Sequence, residues 1–503
     1  MRPVKIFFIS ILCLATVLMG QSDPVDISTA GASQLRLKGQ LTLSRNPASL
    51  GYFALTKPLE PSKNDSVSLE NLDEPDSLET PLMTTLPDDI FLDEFLDEVS
   101  DLIDEPNDTS LPDSVPTHLE SKVSHFSMSL LNISTGYGNS SITPNWINNQ
   151  LFGGKDLRDP IQKEEFFSGL SEDISLFISN SSSLPLLNFS FGPNVISIGQ
   201  AISYTSVNIP SGLAQFPFKG LENGEELNLN SLDIQHISYV PISYSHGFVL
   251  KPETIPVGRK SYMGVRANLL VGLVDVHTEK SAGSLIGTSE ATVLDMEIEL
   301  DHNLSVNDSL PVLGFGAGLD IGLITEINDK LMFGLSIENI AATISWNNGT
   351  IYTASLSGAI SPDEFSQIAD DDSSSNPYEP YISQSENREL GNYKTAIPMA
   401  INISSAYAPR PWADLNANLK LYLSDDYWAS AVPTLSLSSE LFPLSNLPFR
   451  IGIALGGQTG FIWGVGFSLK LGMLVMDIGG GQFGGLFNDA TGLNAGFSLR
   501  IEK

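Results

Sequence analysis

Hydrophobic and polar residues alternate one by one along many stretches of the chain from about residue 124 onward. The segment 413–423, ADLNANLKLYL, places alanine or leucine at every second position, and 313–323, 461–471 and 493–502 likewise have an apolar residue at every second position. Period two is the period of a β-strand, and these runs are about twice as long as the usual strand of a soluble sheet. Their length fits a tilted strand that crosses a bilayer. The pattern therefore predicts an all-β fold, a transmembrane antiparallel β-barrel of about 14 strands over residues 121–503.

Short turns separate the predicted strands. Asn328-Asp329-Lys330 and Gly456-Gly457-Gln458 each join two long runs tightly, as expected for hairpins. Because an open sheet edge cannot exist in lipid, the strands are expected to close into a ring. Aromatic residues near predicted strand ends are expected to form girdles at the two membrane surfaces. These residues are Tyr204, Tyr239, Tyr262, Trp412, Tyr427 and Trp428.

The first 22 residues have the features of a secretory signal peptide. Arg2 and Lys5 lead into the apolar run from Ile6 to Met19, which is too short to remain as a membrane-spanning helix. No later run of about 18 uncharged apolar residues occurs, so helical spans are not expected. The only cysteine, Cys13, lies inside this signal, which excludes disulfides and cysteine-based metal sites from the mature chain. A signal peptide followed by barrel strands predicts the outer membrane of a Gram-negative-type envelope.

Negative charge is concentrated in one segment. The formal net charge is −33, and residues 60–120 hold 19 acidic residues, one lysine and seven prolines, a composition that resists packing into a core. Within it, 89–104 has apolar residues at helical spacing and predicts an amphipathic acidic helix that docks on the barrel or on a protein partner. A second acidic stretch, 363–389, is interpreted as part of a long exterior loop over 347–394, with a loose Ca²⁺ site as the alternative. Acidic loops argue against a nucleic-acid partner, since phosphate binding needs the opposite charge.

Four carboxylates are predicted to share one face of a strand. Asp295, Glu297, Glu299 and Asp301 alternate with apolar residues, and Arg266 on the preceding strand is expected to lie across from them. Stacked carboxylates repel one another unless water or cations intervene, so this column is predicted to line the lumen or to lie beyond the membrane. One interpretation is a cation-favouring passage, and the other is a hydrated lumen wall with local salt bridges. Further residues predicted to line the lumen are Asp320, Asp414 and Lys420.

The sequence predicts no enzyme. A G-x-S-x-G nucleophile motif is absent, and the histidines show no metal-binding spacing. Gly314-x-Gly316-x-Gly318 lies inside an alternating strand and is interpreted as small inward-facing residues, not as a nucleotide loop. No catalytic residue, cofactor or metal ligand is therefore assigned.

Several motifs resemble known outer-membrane barrels. The element Arg45 to Leu50, which contains Asn46-Pro47-Ala48, resembles the N-terminal element of the fatty-acid-transporter-like barrel superfamily, and so does the strand–turn–strand run 320–340. Residues 141–170 resemble a family of uncharacterised outer-membrane barrels that carry a domain of unknown function. The resemblance implies a fourteen-stranded, partly plugged barrel that moves hydrophobic compounds or supports secretion. The acidic segment 60–120 and the terminal Lys503 depart from it.

Two functions follow from the sequence. The first is a channel or transporter for hydrophobic or small amphipathic compounds, embedded in outer-membrane lipid, with residues 23–59 as a plug-like segment that includes Asn46, Pro47 and Ala48. The alternative is a non-transporting accessory or scaffold barrel of a secretion or surface-assembly system, which binds a protein partner through the acidic helix 89–104.

Overall fold

The computed structural model describes residues 23–54 except 36–38 and 43–44, residues 126–360 with short gaps, and residues 382–503. The short gaps are 156–158, 169, 171–172, 184–186, 211–212, 214–220, 252–257, 290 and 304–312. The predicted signal peptide 1–22, the acidic segment 60–120 with its helix 89–104, and residues 363–381 of the second acidic stretch lie outside the described residues.

Antiparallel strands make up most of the described chain, which confirms the all-β prediction. Their bounds are β1 Phe126–Asn139, β2 Asp173–Ser183, β3 Asn188–Phe191, β4 Asn194–Ser197, β5 Gln200–Pro210, β6 Glu226–Asn228, β7 Asp233–Leu250, β8 Lys260–Gly287, β9 Thr292–His302, β10 Gly314–Glu326, β11 Leu331–Ile360, β12 Ile382–Ala396, β13 Ala400–Arg410, β14 Ala413–Tyr422, β15 Thr434–Leu444, β16 Leu447–Gly456, β17 Gly460–Leu471, β18 Leu474–Phe483 and β19 Gly492–Glu502.

The helices are short. They are α1 Pro24–Ser28, α2 Ser49–Ala54, α3 Pro144–Trp146 and α4 Pro160–Ser168, with single 3-10 or π turns at Gly39–Thr42, Ile147–Leu151 and Phe487–Asp489. The Asp23 side chain caps α1 because it accepts hydrogen bonds from the backbone N–H groups of Val25 and Asp26 at 2.8 and 2.9 Å. Within the described residues, no helix has the length and apolar character needed to cross a membrane.

The nineteen strands of the described chain form one sheet that closes on itself. β1 pairs with β19 on one side and with β2 and β3 on the other. At this seam the backbone N–H of Phe126 donates to the carbonyl of Lys503 at 3.2 Å, and the N–H of Lys503 donates to the carbonyl of Phe126 at 2.9 Å. The first and last strands therefore complete a ring of paired strands.

The number of strands differs from the predicted count of about 14. Four lengths of the wall are each divided into two collinear strands that follow the same neighbour: β2 and β3 along β1, β4 and β5 along β7, β9 and β10 along β8, and β12 and β13 along β11. β6 adds a three-residue strand beside the end of β8. Alternation of apolar and polar residues predicts where strands form but not where a strand is interrupted. The strand count predicted from the sequence is therefore too low.

The two rims of the ring carry different connections. The turn rim has tight turns at 192–193, 327–330, 411–412, 445–446 and 472–473. The loop rim has the longer connections, among them 140–172, 423–433 and 484–491. The predicted turn before β11 is confirmed, since the Asn328 side chain accepts hydrogen bonds from the N–H groups of Lys330 and Leu331, both at 2.9 Å. The interpretation of 347–394 as one long loop is wrong, because β11 continues to residue 360 and β12 begins at residue 382.

The wall buries polar residues and exposes apolar ones. On β15, Ser436 is buried whereas its neighbour Leu437 is 46% exposed. The exposed face continues on the paired strands with Ile453 and Leu455 of β16, which lie opposite Leu437 and Leu435. The inner face holds serine, asparagine and charged residues. This distribution is the reverse of a soluble sheet, in which the apolar face is buried.

One inner cluster shows how charge is held there. Asp477 is fully buried, and its carboxylate contacts Arg500, lies 3.8 Å from Nη1 of Arg450, and accepts a hydrogen bond from Ser498 at 2.9 Å. Ser468 also donates to Asp477. Because both guanidinium groups and the carboxylate are buried, each charge depends on the others for compensation.

Residues 23–54, the inner segment, lie inside the ring. α1 contacts β16, β17, β18 and β19, whereas α2 contacts β7 and β8 on another arc of the wall, so the segment must cross the interior. Glycines on the inner face make room for it: a Cβ on Gly464 would overlap the carbonyl of Ile27, and a Cβ on Gly264 would overlap Pro47. The wall is therefore shaped to this segment at several strands.

Part of the wall extends farther toward the loop rim than the rest. This upper wall consists of 276–287 of β8, all of β9 and 350–360 of β11, which pair with one another. It buries an apolar cluster of Ile298, Leu300 and Ala354, against which Leu232 and Ile234 pack. The remaining wall is called the lower wall. The upper wall therefore buries apolar residues, as a soluble sheet does.

Candidate functional site

The interior above the inner segment contains a partly open cavity of about 340 Å³. Its floor includes Asp26, Gly31 and Gln34 of the inner segment, and its wall includes residues of β1, β2, β5, β7, β8, β14, β15 and β17. Charged groups lie toward the floor, and aromatic groups lie toward the loop rim beside polar residues such as Thr434 and Gln458. The cavity therefore has a charged floor and an aromatic upper part.

The apolar end is built from aromatic side chains on several strands. Phe177 and Phe483 have ring centroids 5.9 Å apart, and Tyr204 meets Trp428 edge-on at 5.9 Å. Tyr239 lines the same region, and the hydroxyl of Tyr204 donates to Oε1 of Gln458 at 3.2 Å. Apart from these hydroxyls, the layer presents ring faces and edges, which suit contact with hydrophobic molecules.

These aromatic positions correct the predicted membrane girdles. Tyr204, Tyr239, Tyr262 and Tyr427 are buried, and of the six residues expected at the membrane surface only Trp412 is strongly exposed. Strand alternation gives the face on which a residue lies only when the register is known, and these tyrosines belong to the inner face. The sequence thus picks out Tyr204, Tyr239 and Trp428 of the aromatic layer but assigns them to the wrong place, and it does not pick out Phe177 or Phe483.

The loop 423–433 is fastened above the cavity by Tyr427. The hydroxyl of Tyr427 donates to Oδ1 of Asp275 at 3.1 Å, and its backbone N–H donates to Oε1 of Gln235 at 2.9 Å. Tyr427 has φ of 54°, the left-handed region that residues other than glycine seldom adopt. The two hydrogen bonds hold this conformation and place the adjacent Trp428 in the cavity wall.

Ion pairs at the floor fasten the inner segment to itself and to the wall. Nη2 of Arg45 lies 2.7 Å from Oδ1 of Asp23, and Nε of Arg45 lies 3.4 Å from Oδ1 of Asp26. Arg266 of β8 reaches from the wall and donates to the backbone carbonyls of Thr42 and Arg45, the latter at 2.7 Å. A buried guanidinium that donates to two carbonyls of the segment fixes its position against β8.

Arg266 also corrects an expectation about the carboxylate column. It lies opposite Asp320 of β10, and Nη1 of Arg266 donates to Oδ2 of Asp320 at 2.9 Å. The expectation that Arg266 lies across from the column is wrong, because β8 is 28 residues long and only its part in the upper wall pairs with the column's strand. Arg266 and Asp320 both line the cavity.

Lys420 is another cavity residue that was predicted to line the lumen. Its Nζ lies 3.2 Å from Oε2 of Glu338, and Asn402 donates to Oε1 of Glu338 at 3.0 Å. Asp414, six residues earlier on β14, is half-buried, lies opposite Glu440 of β15 and does not line the cavity. The structure thus places Arg266, Asp320 and Lys420 at the cavity floor and Asp414 elsewhere on the wall.

The Asn46-Pro47-Ala48 element of the inner segment is buried against β8, β10 and β11. Nδ2 of Asn46 donates to the carbonyls of Leu323 and Leu335 at 3.2 and 3.3 Å, and its Oδ1 accepts from the N–H of Ala48 at 3.0 Å. Pro47 and Ala48 lie against Gly264. The amide of Asn46 therefore joins the inner segment to two neighbouring wall strands.

The carboxylate column lies in the upper wall. Asp301 is opposite His277 and so lies on the same face of the sheet as Asp275. That face points to the interior, because Asp275 accepts a hydrogen bond from Tyr427 of the interior cluster. Glu297 and Glu299 are compensated by Lys280 at 2.7 Å and Arg388 at 2.9 Å. Asp295 is exposed at the end nearest the loop rim. None of the four lines the cavity.

Solved structures with a similar chain trace include hydrocarbon transporters. The toluene transporter TodX of P. putida is 11% identical with a TM-score of 0.40, over 75% of this chain and 90% of that chain. The toluene transporter TbuX of Ralstonia pickettii is 11% identical with a TM-score of 0.38, over 75% and 88%. A FadL homologue of Pseudomonas aeruginosa is 10% identical with a TM-score of 0.36, over 75% and 90%. No curated protein matches the chain.

A family of protein sequences accounts for most of the chain. Residues 116–479, well over half of the 503 residues, match the model of a family described as "Family of unknown function (DUF5723)". This region begins before β1 and ends within β18. The inner segment and its Asn46-Pro47-Ala48 element precede the matched region. The chain therefore belongs to the family of unknown function DUF5723.

Proposed function

We propose that the chain is an outer-membrane β-barrel that admits a hydrophobic or small amphipathic molecule to its internal cavity. The lower wall supplies the barrel, the inner segment acts as its plug, and the aromatic layer is the binding surface. The cavity carries the proposal, because it joins aromatic rings at one end to ion pairs at the other.

The lower wall has the properties that lipid requires. Its exposed face is lined by leucine, isoleucine and phenylalanine, and its inner face is polar. The described strands form one closed antiparallel ring, which leaves no unpaired strand edge to face lipid. Most of the short turns lie at one rim and the longest connection, 140–172, lies at the other, as expected for periplasmic and exterior sides.

The inner segment supports a plug because it is buried, hydrogen-bonded and matched to the wall. Arg45, Asn46 and Ala48 are fully buried, and Arg266 and Asn46 provide its contacts to β8, β10 and β11. A segment so fastened leaves the cavity closed toward the turn rim. Passage through the barrel therefore requires the segment to shift or the ligand to leave through the wall.

Binding is tested with a brominated decanoate as the probe, because bromine quenches tryptophan at short range. The full chain in detergent micelles is expected to show saturable quenching, and Trp428→Phe is expected to remove most of it. Ser436→Phe fills the cavity and is expected to weaken binding at least tenfold, whereas Leu437→Phe, which faces outward on the same strand, leaves it unchanged. Equal quenching in the two phenylalanine variants of β15 would contradict a cavity site.

Single-channel conductance in a planar bilayer tests the plug separately. The full chain is expected to be silent, and deletion of residues 23–54 is expected to open a steady conductance. Conductance in the full chain would contradict the plug, and cation selectivity would then point to the column from Asp295 to Asp301. Silence in both forms, together with no saturable quenching, would favour the accessory role over transport.

A further inference from the structure

A cluster of three ionisable side chains lies where the lower wall meets the upper wall. His277 of β8 is directly opposite Asp301 of β9, and Glu279 lies at an irregularity in the register between Thr278 and Lys280. One nitrogen of His277 and one carboxylate oxygen each of Glu279 and Asp301 lie within 4.8 Å of one another. The cluster is separate from the cavity.

The imidazole of His277 is held with one nitrogen directed into the cluster. Nδ1 lies 3.2 Å from Oδ2 of Asp275, which is fully buried and also accepts hydrogen bonds from Tyr427 and Thr395, each at 3.1 Å. A carboxylate on Nδ1 favours the tautomer that carries its proton there, which leaves the lone pair of Nε2 free. Metal-ligating histidines are commonly oriented in this way by a carboxylate on the second nitrogen.

Asp301 differs from the other carboxylates of its column. Glu297 and Glu299 each contact a lysine or arginine, and Asp295 is exposed to solvent. Asp301 is only 6% exposed, and Nε2 of His277 lies 3.8 Å from its Oδ2. Its Oδ1 has no hydrogen-bond partner among the described residues. A buried carboxylate oxygen that lacks a partner is costly, so its position indicates a ligand that the described side chains do not supply.

We propose that His277, Glu279 and Asp301 bind a divalent transition-metal ion, with Zn²⁺ as the best fit. Zn²⁺ binds imidazole nitrogen and carboxylate oxygen at about 2.0–2.2 Å, and an ion between atoms 3.8 Å apart meets both at such distances. Mg²⁺ and Ca²⁺ prefer oxygen ligands alone, so the histidine selects against them. The exposed Glu279 leaves the fourth position open to water.

The ion would fasten β8 to β9 and would hold His277 against Asp275. Asp275 in turn receives the hydroxyl of Tyr427, the residue that fastens the loop 423–433. The site therefore has a structural role at the base of the upper wall. This inference does not depend on what the cavity binds.

Zn²⁺ titration of the full chain, freed of metal by a chelator and followed by calorimetry, tests the site. One equivalent is expected to bind. Asp301→Asn and His277→Gln are expected to weaken binding at least tenfold, and Asp275→Asn, which acts through His277, by about 10–100-fold. Asp295→Asn at the far end of the same column is the matched control and is expected to bind as the unaltered chain does. Absence of a stoichiometric site, or equal binding by Asp301→Asn and the unaltered chain, would overturn the proposal.

Two further measurements keep the test decisive if a variant does not fold. Cu²⁺ bound to the unaltered chain is expected to give an electron paramagnetic resonance spectrum with coupling to one imidazole nitrogen, and a spectrum without nitrogen coupling would overturn the proposal. A hundredfold excess of Ca²⁺ is expected to leave Zn²⁺ bound. Displacement by Ca²⁺ would contradict the assignment to a transition metal.

Discussion

Leu437 in the lower wall and Leu300 in the upper wall occupy equivalent positions in alternating strands, yet one is 46% exposed and the other 3%. The neighbours of Leu437 on the same face are apolar and exposed, whereas Leu300 packs with Ile298 and Ala354 beneath Leu232 and Ile234. The same sequence pattern thus serves two environments within one ring. Alternation shows that a strand has two unlike faces, and the surroundings decide which face is buried.

The burial of charged side chains also differs between the two regions. In the lower wall Asp477 is fully buried between two arginines, and in the upper wall Glu297 and Lys280 form a half-exposed pair. A buried charge depends strongly on its partners, whereas an exposed pair is weakened by solvent and salt. Substitutions in the two regions should therefore differ in cost, and unfolding by urea in lipid vesicles measures each of the following effects.

The largest effect is expected for Asp477→Ala. Removal of this carboxylate leaves Arg450 and Arg500 buried with incomplete compensation, and we expect the free energy of unfolding to fall by about 3–5 kcal/mol. Asp295→Ala in the upper wall is the control and should change it by less than about 0.5 kcal/mol, since its carboxylate is exposed. Similar losses for the two variants would remove the distinction between the regions.

A charge on the outer face should lower the free energy of unfolding slightly less than Asp477→Ala does. In the proposed barrel Leu437→Arg places a guanidinium on the lipid-facing surface, and we expect a loss of about 2–4 kcal/mol. Leu471→Arg, at the turn-rim end of β17, should cost only about 0–1 kcal/mol because it lies near the interface. Equal costs at both depths would argue that neither residue faces lipid.

Loss of a single methyl group sharpens the contrast. Ile298→Val in the buried upper cluster should lower the free energy of unfolding by about 0.5–1.5 kcal/mol, because it leaves a small cavity. Ile453→Val on the outer face of β16 should have no measurable effect, since lipid fills the space. A larger cost for Ile453→Val would show that this face packs against protein.

The smallest effect is expected for Lys280→Ala. Its ion pair with Glu297 is half-exposed, so we expect the free energy of unfolding to fall only slightly at low salt, by less than in any other variant of this series apart from the controls. The loss should shrink when the measurement is repeated at about 1 M salt, where screening acts over about 3 Å. A loss that is independent of salt would mean that the side chain acts through packing.

The comparison also explains how far the sequence could be interpreted. The face of Leu415, the turn at Asn328 and the inward position of Asp320 follow from alternation and turn chemistry alone. The expected position of Tyr204 and Tyr239 at the membrane surface is wrong, because alternation does not give the register and both line the cavity. The expected position of Arg266 across from the carboxylate column is wrong, because the sequence does not give the length of β8.

The candidate metal site shows a second limit. His277 and Asp301 are 24 positions apart in the chain and meet only because β8 and β9 pair in one register. No spacing rule for histidines detects ligands that come from two strands. Only the structure distinguishes Asp301 from the rest of the column. Its Oδ1 has no hydrogen-bond partner among the described residues, whereas Glu297 and Glu299 contact a lysine and an arginine.

Closure of the wall between β1 and β19 constrains the order of assembly. The inner segment precedes every strand in the chain, yet α1 contacts β17, β18 and β19, the last three strands. The pocket that receives α1 therefore does not exist until the final strands have paired. The inner segment can therefore dock only after β17, β18 and β19 have paired. Until then it is either held near the incomplete wall or inserted later through the open rim. Deletion of the inner segment and deletion of β19 should accordingly stall assembly at different points, the first after the seam has closed and the second before it.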